Sequence, residues 1–360
     1  MIKLKSYFNK KKILITGHTG FKGAWLTVYL LSLGGKIMGI SKDVPTSPSL
    51  FHSLDLKKKI THRKADIRNL EKLKNLFLTF NPDFVFHLAA QALVKESYLN
   101  PIETFKSNIF GTLSVLESLR VLKNKCSAVL ITSDKSYKNL EIKRGYKEND
   151  LLGGIDPYSS SKASAELLIQ TYINSFLDSK KNISLAVARA GNVIGGGDWS
   201  SDRLIPDCVK SWSKNKKVSL RNPNSTRPWQ HVLEALSGYL ILAIHLSKSK
   251  KLDGEAFNFG PSNLNNYSVL DVVKKMKNYW KNVSWKTEKK NNFHYESNLL
   301  KLNSNKAKKK LNWKSILTIR ETINLVTTWY KIFYDKKFNI YNLSVKQIKF
   351  YEKTFMKRII

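Results

Sequence analysis

Short apolar runs alternate with longer segments of helical periodicity through the first half of the chain. Runs of this kind predict strands buried on both faces, and the segments between them predict helices that cover the sheet. The expected strands lie at 12–16, 36–40, 61–65, 84–88, 128–132 and 184–189, and the expected helices at 21–33, 70–80, 102–122 and 158–176. The pattern predicts an α/β fold with a doubly wound parallel sheet, whose ligands bind at the carboxyl ends of the strands.

The second half of the chain, from about residue 191, differs from the first in its composition and in the length of its helices. Loops rich in Gly, Pro, Trp and Asn separate shorter helices, which we expect at 204–214, 232–247, 268–279 and, as a terminal amphipathic helix, 343–356. We therefore expect a Rossmann-like domain over 1–190 and a smaller C-terminal substrate-binding domain over 191–360, from which the chain can cross back into the sheet.

The large net positive charge of the chain alters the predicted function less than its magnitude suggests. The 62 basic residues against 27 acidic ones give +35, which alone would indicate nucleic acid, an anionic membrane or an acidic substrate. Ten of the 62 are arginine and 52 are lysine, spread in short runs such as 57–59 and 306–310. A phosphate-gripping interface usually uses arginine as well. We interpret the excess lysine as a solvated compositional bias and expect no nucleic-acid partner.

Cysteine use and the N-terminus bear on the compartment. Cys126 and Cys208 are too few for a disulfide framework, and no Cys/His spacing is typical of a zinc site. The apolar run at 13–15 is far too short for a signal peptide or a membrane span. We expect a cytoplasmic protein with no bound metal and no membrane partner.

A glycine-rich loop follows the first predicted strand. Gly17-His18-Thr19-Gly20-Phe21-Lys22-Gly23 has G-x-x-G-x-x-G spacing, which lets the backbone approach a pyrophosphate at a helix N-terminus. Small or polar residues also end the second, third and fourth strands. The candidate residues for a dinucleotide are Gly17, Thr19, Gly20, Phe21, Gly23, Ser41, Asp66, Ile67, Leu88, Ala89 and Ala90, together with Tyr158 and Lys162.

Two of these positions leave alternatives open. Asp66 either accepts a hydrogen bond from the adenine amino group or caps the helix that starts near Asn69. The second strand ends in Ser41-Lys42 where an acid would bind the ribose hydroxyls of NAD, and Asp43 comes two residues later. Because Lys42 tolerates a 2′-phosphate, the preference between NAD and NADP stays open.

Tyr158-Ser159-Ser160-Ser161-Lys162 is the most specific motif in the chain. A spacing of four puts the phenol and the ammonium on one face of a helix. We expect the lysine to lower the pKa of Tyr158 toward neutrality, so that the phenolate takes a proton from an alcohol while hydride passes to a nicotinamide. The same pair on an exposed helix would carry no meaning without the glycine loop and the sheet.

The fifth predicted strand ends in Thr132-Ser133-Asp134-Lys135. Ser133 can hydrogen-bond the hydroxyl that is oxidised. Asp134 and Lys135 exceed the needs of plain dehydrogenation or epimerisation, which use one base and a hydride acceptor. An added acid and base allow elimination of water from the neighbouring carbon. The alternative is a polar turn between a strand and a loop.

Together these motifs resemble extended short-chain dehydrogenases/reductases of the nucleotide-sugar 4,6-dehydratase group. The resemblance spans nearly the whole chain and rests on segments 14–26, 82–94, 132–137, 153–166, 188–207 and 221–240. It implies NAD as cofactor, Tyr158 as base at the sugar C4, Lys162 as its support and Asp134 as acid for the C6 hydroxyl. Lys135 stands where dTDP-glucose members have Glu, which favours the branch acting on CDP-glucose and leaves the C5 base open between Lys135 and water.

The resemblance also implies a substrate site and an assembly. Four of the ten arginines, at 189, 203, 221 and 227, lie close together along the chain, where bidentate contact with a diphosphate would need them. The implied substrate-binding residues are Gln91, Asn192, Arg203, Leu204, Ile205, Pro206, Arg221 and Arg227. His231 is expected in structural support, Trp199 and Trp229 either stack on the substrate or pack in the core, and 301–307 would complete the pocket. The group suggests a homo-oligomer, dimer or tetramer.

Two other functions remain in view. A nucleotide-sugar 4-epimerase or reductase on the same fold would not need Asp134 and Lys135. A non-enzymatic nucleotide sensor that binds nucleic acid through its lysines would have no need of the Tyr158 and Lys162 pair.

Overall fold

The computed structural model describes residues 4–177, 181–261, 266–287, 300–336 and 338–359. Its strands are β1 Lys12–Thr16, β2 Lys36–Ser41, β3 Thr61–Lys64, β4 Phe84–His87, β5 Cys126–Ile131, β6 Ile183–Arg189, β7 Val193–Ile194, β8 Val218–Leu220, β9 Thr226–Pro228, β10 Gln230–His231, β11 Ala256–Asn258, β12 Asn266–Ser268 and β13 Trp285–Thr287. Seven of them form one parallel sheet in the order β11-β6-β5-β4-β1-β2-β3. The doubly wound α/β fold is thus confirmed.

Helices cover both faces of this sheet. They are α1 Leu4–Phe8, α2 Phe21–Ser32, α3 Leu50–Ser53, α4 Leu70–Phe80, α5 Val94–Leu99, α6 Pro101–Phe105, α7 Gly111–Arg120, α8 Pro157–Tyr172, α9 Leu204–Trp212, α10 Val232–Lys248, α11 Val269–Met276, α12 Asn305–Leu311, α13 Ile319–Asp335 and α14 Ile340–Ile359. Five-residue π turns continue α6 into α7 at Lys106–Phe110 and extend α8 at Ile173–Leu177.

The central strands are apolar without alternation because each face packs on its own core. In β1, Ile13 and Ile15 join the core with α2 and α10, whereas Leu14 joins the core with α4 and α7. All three side chains are fully buried. Burial on both faces explains why the strands could be predicted from continuous apolar runs.

The second half of the chain contributes to the sheet as well as to the region above it. β11 pairs with β6 as the edge strand, and it was not among the six predicted strands. Helix α10 packs beneath β5 and β6. Its buried Glu234 accepts hydrogen bonds from the N–H groups of Ile316 and Leu317 and from the Tyr351 hydroxyl, which ties the C-terminal helices to the core. The division at residue 190 therefore stays a prediction.

Two kinds of feature are absent from the described residues. No helix there is long and apolar enough to cross a membrane. No group of three or more His, Cys, Asp or Glu side chains in this part of the chain is placed to hold a metal ion. Both cysteines are buried free thiols.

Candidate active site at the carboxyl ends of the strands

The glycine loop brings backbone unusually close to backbone. Gly17 has a φ of +78°, and a Cβ there would lie 2.6 Å from the Ala89 nitrogen. A Cβ on Gly23 would lie 2.1 Å from the Gly17 oxygen. Gly20 is the N-cap of α2 and offers no side-chain acceptor, so N–H groups of the first turn remain available for an anion. The loop therefore fits a dinucleotide pyrophosphate.

The end of β2 is neutral and polar. The Ser41 hydroxyl accepts from the Thr19 N–H at 3.4 Å and contacts His18 Nδ1 at 3.0 Å, while His18 Nε2 lies 2.8 Å from Nδ1 of His62. Burial and the neighbouring His62 lower the pKa of His18 to about 4, which keeps this ring uncharged at neutral pH. Lys42 is exposed.

The end of β3 corrects one of the two interpretations of Asp66. Arg68 donates to both carboxylate oxygens, and this pairing lowers the pKa of Asp66. The N-cap of α4 is Asn69, whose side chain accepts from the Lys72 N–H. Asp66 is thus not the helix cap. The neighbouring Ile67 is buried against Gly111, where a Cβ would lie 2.4 Å from its Cδ1.

The end of β4 forms a second backbone wall of the site. Leu88, Ala89 and Ala90 follow the strand, and the Ala89 N–H donates to the Thr16 hydroxyl at 3.3 Å. The predicted substrate residue Gln91 is occupied within the protein: its amide nitrogen donates to Leu93 and Thr104, and its amide oxygen accepts from the Leu93 N–H. Its observed contacts therefore order the loop before α5.

Tyr158 and Lys162 are held on α8 where the motif predicts them. Asp156 caps this helix by accepting from the Ser159 N–H, and Pro157 occupies its first turn. Both functional side chains are buried, with Tyr158 8% and Lys162 7% exposed. Asn108, in the first π turn, donates to the hydroxyl of Ser161 at 2.8 Å and fixes α8 against its neighbour.

The charge state of this pair differs from the prediction. Burial raises the pKa of Tyr158 to about 12, and this effect outweighs the hydrogen bond with Ser133 and the charge of Arg203, which lower it. Burial therefore acts against the expected shift toward neutrality. Burial and the nearby Lys22 ammonium lower the pKa of Lys162 to about 8.

Ser133 and Asp134 lie beside the phenol. Asp134 is 5% exposed, and its carboxylate accepts from the Ser133 hydroxyl at 3.0 Å. The carboxylate rests on Gly191, where a Cβ would lie 1.8 Å from Oδ2. The Lys135 N–H donates to the Ser133 hydroxyl, while its side chain is half-exposed. The structure thus brings a phenol, a hydroxyl, a buried acid and two lysines to one place.

The four clustered arginines divide into different roles. Arg189 is fully buried and forms an ion pair with Glu166, so its predicted place on a diphosphate is wrong. Arg203 pairs with Asp198 at 2.8 Å at the start of α9 and lies near Tyr158. Arg221 is 61% exposed, 3.6 Å from Asp202. Arg227 lies on β9 and donates to a backbone oxygen.

The remaining substrate candidates lie in loops and in the first turn of α9. Asn192 has a φ of +50°, and its carbonyl accepts from the Gln230 N–H. Leu204, Ile205 and Pro206 form the first turn of α9, with Ile205 and Pro206 buried. Segment 301–307 lies against Tyr146 and Asn258, near the end of β11.

The aromatic candidates belong to the core. Trp199 is buried with its ring 5.1 Å from Tyr330, and Trp229 is buried with its indole N–H donating to the Tyr267 oxygen. His231 is the N-cap of α10, which confirms its structural role. Of the two interpretations offered for the tryptophans, packing in the core is the one observed.

The sequence reasoning missed Lys22 and Asp198. Lys22 occupies one of the unspecified positions of the G-x-x-G-x-x-G motif. Its ammonium nevertheless interacts electrostatically with Asp134, Asp198 and Arg203. A lysine in the first turn of a helix is itself a signal, because the positive end of the helix dipole disfavours it there. Asp198 carried no signal of its own, since it functions by pairing with Arg203 across a loop.

Comparison with known proteins identifies the class that this fold and site define. The family model of the GDP-mannose 4,6 dehydratases matches residues 14–326, and the chain belongs to this family of nucleotide-sugar dehydratases. A curated CDP-glucose 4,6-dehydratase from Salmonella typhimurium is 44% identical over 332 residues, which cover 91% of this chain and 92% of that protein. A dTDP-D-glucose 4,6-dehydratase from Dictyostelium discoideum is 29% identical, covering 74% of this chain and 62% of its own length.

Solved structures share the fold at lower identity. An epimerase from Methanothermobacter thermautotrophicus superposes with a TM-score of 0.78 at 22% identity, covering 93% of this chain and 97% of its own. A dTDP-glucose 4,6-dehydratase from Bacillus anthracis, solved with NAD, gives a TM-score of 0.72 at 23% identity, covering 89% and 96%. Epimerases and dehydratases both match, so the fold alone does not choose between them.

Proposed function

We propose that this enzyme is an NAD-dependent CDP-glucose 4,6-dehydratase, which converts CDP-glucose to CDP-4-dehydro-6-deoxy-glucose and water. The observation that carries the proposal is the buried Asp134 beside Tyr158 and Ser133, because epimerisation has no use for an added acid at this place. The relative at 44% identity, whose name states this activity, supports the same assignment.

The residues that would assist oxidation of the sugar at C4 are Tyr158, Ser133 and Lys162. The Tyr158 phenolate takes the proton of the C4 hydroxyl, and Ser133 hydrogen-bonds the same oxygen. Lys162, one helical turn along, holds positive charge near the phenolate and lowers the cost of forming it. Since burial is the largest effect and the pKa of Tyr158 is raised to about 12, the phenolate depends on cations that come close to it when the ligands bind.

The residue that would drive the loss of water is Asp134. A ketone at C4 acidifies the C5 proton, which leaves to a base, while Asp134 gives its proton to the C6 hydroxyl and the C6–O bond breaks. Gly191 is needed behind the carboxylate because any side chain there would displace it. Lys135 or water serves as the C5 base in this scheme.

NAD fits the residues at the glycine loop. Gly17, Gly20 and Gly23 provide the close backbone approach and the free N–H groups, and Ala89 and Ala90 provide a wall without bulk. Held by these residues, NAD would supply a hydride acceptor for C4 and a hydride donor for C6. With a proton returned to C5 by the base that removed it, the reaction would have no net redox change. Ser41 would face the ribose in place of the usual acid.

The nucleotide end of the substrate would lie against α9 and β9. Arg203 and Arg227 supply planar cations for the diphosphate, and Asn192 lies between them and Asp134 along the chain. Leu204, Ile205 and Pro206 flank the base. Arg221 is the most exposed of these residues and would contact the diphosphate at its outer side.

The homo-oligomer is proposed as a dimer formed through α6, α7 and α8. These neighbouring helices expose large apolar side chains: Ile102 is 68% exposed, Phe110 56% and Leu167 54%. Soluble proteins seldom leave such residues uncovered on adjacent helices. Sedimentation of the protein would test this, with a mass of 41.3 kDa for a monomer as the contradicting result.

A turnover panel tests the function. CDP-, dTDP-, UDP- and GDP-glucose are each incubated with the enzyme, with and without added NAD and NADP, and the product mass is measured. The expected result is loss of one water from CDP-glucose before any other substrate. An isomer of unchanged mass would instead support the epimerase.

A further inference from the structure

Lys22 occupies a place where the glycine loop needs only backbone. It is the second residue of α2, whose N-terminus carries the positive end of the helix dipole. Its side chain is half-buried, so it also loses hydration. A cation here costs stability on both counts, and the cost calls for a compensating role.

The fold directs the first turns of α2 toward the acidic part of the site. The Trp25 indole N–H donates to the Gly196 oxygen at 2.8 Å, and a Cβ on Gly195 would lie 2.9 Å from the Phe21 ring. Lys22 lies between Phe21 and Trp25 in the helix, about one helical turn before Trp25. The loop that they contact leads directly into Asp198.

The sheet order places Asp134 within reach of the same turn. β1 and β5 are separated by β4 alone, so their carboxyl ends lie about 10 Å apart. The Lys22 ammonium interacts electrostatically with Asp134 and Asp198, both of which favour its charged form. The ammonium is thus near the acid proposed for the C6 hydroxyl.

The other cations of the site are already engaged. Arg203 donates to Asp198 at 2.8 Å, and Lys162 interacts electrostatically with Glu166. Within the described ranges, no Lys, Arg or His lies within 4.0 Å of the Asp134 carboxylate, whose hydrogen bond comes from Ser133. The Lys22 ammonium and the Asp134 carboxylate therefore interact without a direct ion pair.

We propose that the Lys22 ammonium stabilises the carboxylate that forms on Asp134 as it gives its proton to the C6 hydroxyl. The proton passes from Asp134 to that oxygen, the C6–O bond breaks, water leaves, and Lys22 keeps its own proton throughout. Negative charge develops on Asp134 during this step, and a fixed cation in a dry site lowers its energy. Lys22 is a positioning residue for elimination. This inference rests on the proposed dehydratase activity.

A single-turnover experiment separates the two steps. Enzyme, NAD and CDP-glucose are mixed rapidly, and the absorbance of reduced nicotinamide is followed as it rises with C4 oxidation and falls after elimination. In Lys22→Met we expect the fall to slow on the order of tenfold to a hundredfold, far more than the rise. Lys72→Met, an exposed lysine of α4, is the matched control and is expected to behave as the wild type.

A second variant guards against a folding defect. Lys22→Arg keeps the charge, so the fall should recover most of its rate. Burial and Arg203 lower the pKa of Lys22 to about 8, so the wild-type fall should slow as the pH rises through this value. In Lys22→Arg this loss should move to higher pH, because a guanidinium keeps its proton there.

The outcomes are distinguishable. Two results in Lys22→Met would overturn the role of Lys22: an absorbance rise slowed as much as the fall, or a fall as fast as that of the wild type. In either case, turnover by the wild type would still support the dehydratase. Failure of the wild type to form the dehydrated product from CDP-glucose overturns the proposed function itself.

Discussion

Two buried groups of charges lie side by side in this protein, and they are built differently. In the first, Glu166 of α8 and Arg189 of β6 form an ion pair in which both side chains are 1% exposed. Thr132 donates to Glu166 at 2.6 Å, and Arg189 also donates to the Tyr137 hydroxyl and the Glu148 oxygen. Every charge there has protein partners.

The second group is less completely paired. Asp134 accepts from Ser133. Burial and Arg203 lower the pKa of Lys22, and burial and Lys22 lower the pKa of Lys162. Paired buried charges are typical of structure, and incompletely paired ones are typical of sites that a ligand completes. The difference indicates which of two adjacent clusters carries the chemistry.

The largest expected effect is on catalysis at the second group. Tyr158→Phe removes the base for the C4 hydroxyl, and kcat should fall by about 10²–10⁴-fold. The ring remains packed in α8, so the midpoint of thermal unfolding should stay near that of the wild type. Parallel measurements of turnover and unfolding check this. A variant that kept most of its activity would remove Tyr158 from the mechanism.

The first group should respond in the opposite way. Glu166→Ala leaves the Arg189 guanidinium buried without its partner, and the free energy of unfolding should fall by about 3–5 kcal/mol. Urea denaturation measures it, with Glu71→Ala, an exposed residue of α4, as the control. A loss no larger than that of the control would mean that the buried pair does not support the fold.

Gly191→Ala probes the placement of Asp134. A Cβ would lie 1.8 Å from Oδ2, so the carboxylate must move. A displacement of about 1 Å at a reacting group can cost about a hundredfold in rate, and we expect a loss of that order in product formation with C4 oxidation retained. Formation of reduced nicotinamide without dehydrated product is the signature. Equal loss of both steps would contradict a specific role in elimination.

The smallest expected effect is a gain in stability. Lys162→Met removes a buried cation, and the ligand-free protein should become more stable by about 1–2 kcal/mol at neutral pH while losing activity. The wild-type pKa falls from 10.5 to about 8 on folding, so unfolded chains bind more protons between these values and stability should rise with pH there. Denaturation across this range should show the rise in the wild type and a weaker one in the variant.

Much of the first half of the fold could be predicted from sequence. β1, with Ile13 to Ile15, shows why: strands buried on both faces are continuous apolar runs. β11 has only three residues, Ala256–Asn258, and no such run, so only its pairing with β6 identifies it.

The site was predictable where local spacing carries it. Tyr158 and Lys162 share a helix, and Ser133 and Asp134 follow one strand. Arg189 could not be assigned correctly, because its partner Glu166 is distant in sequence and nothing local marks the pair. Lys22 was hidden for a related reason, since its neighbours come from three other segments of the chain.

The central claim is that one enzyme oxidises C4, eliminates water and returns the same hydride to C6. CDP-glucose labelled with deuterium at C4 tests it directly when the product is examined by NMR and mass spectrometry. The account predicts that the deuterium appears at C6 of CDP-4-dehydro-6-deoxy-glucose. A dehydrated product without deuterium at C6, or a product that still carries it at C4, would contradict the account.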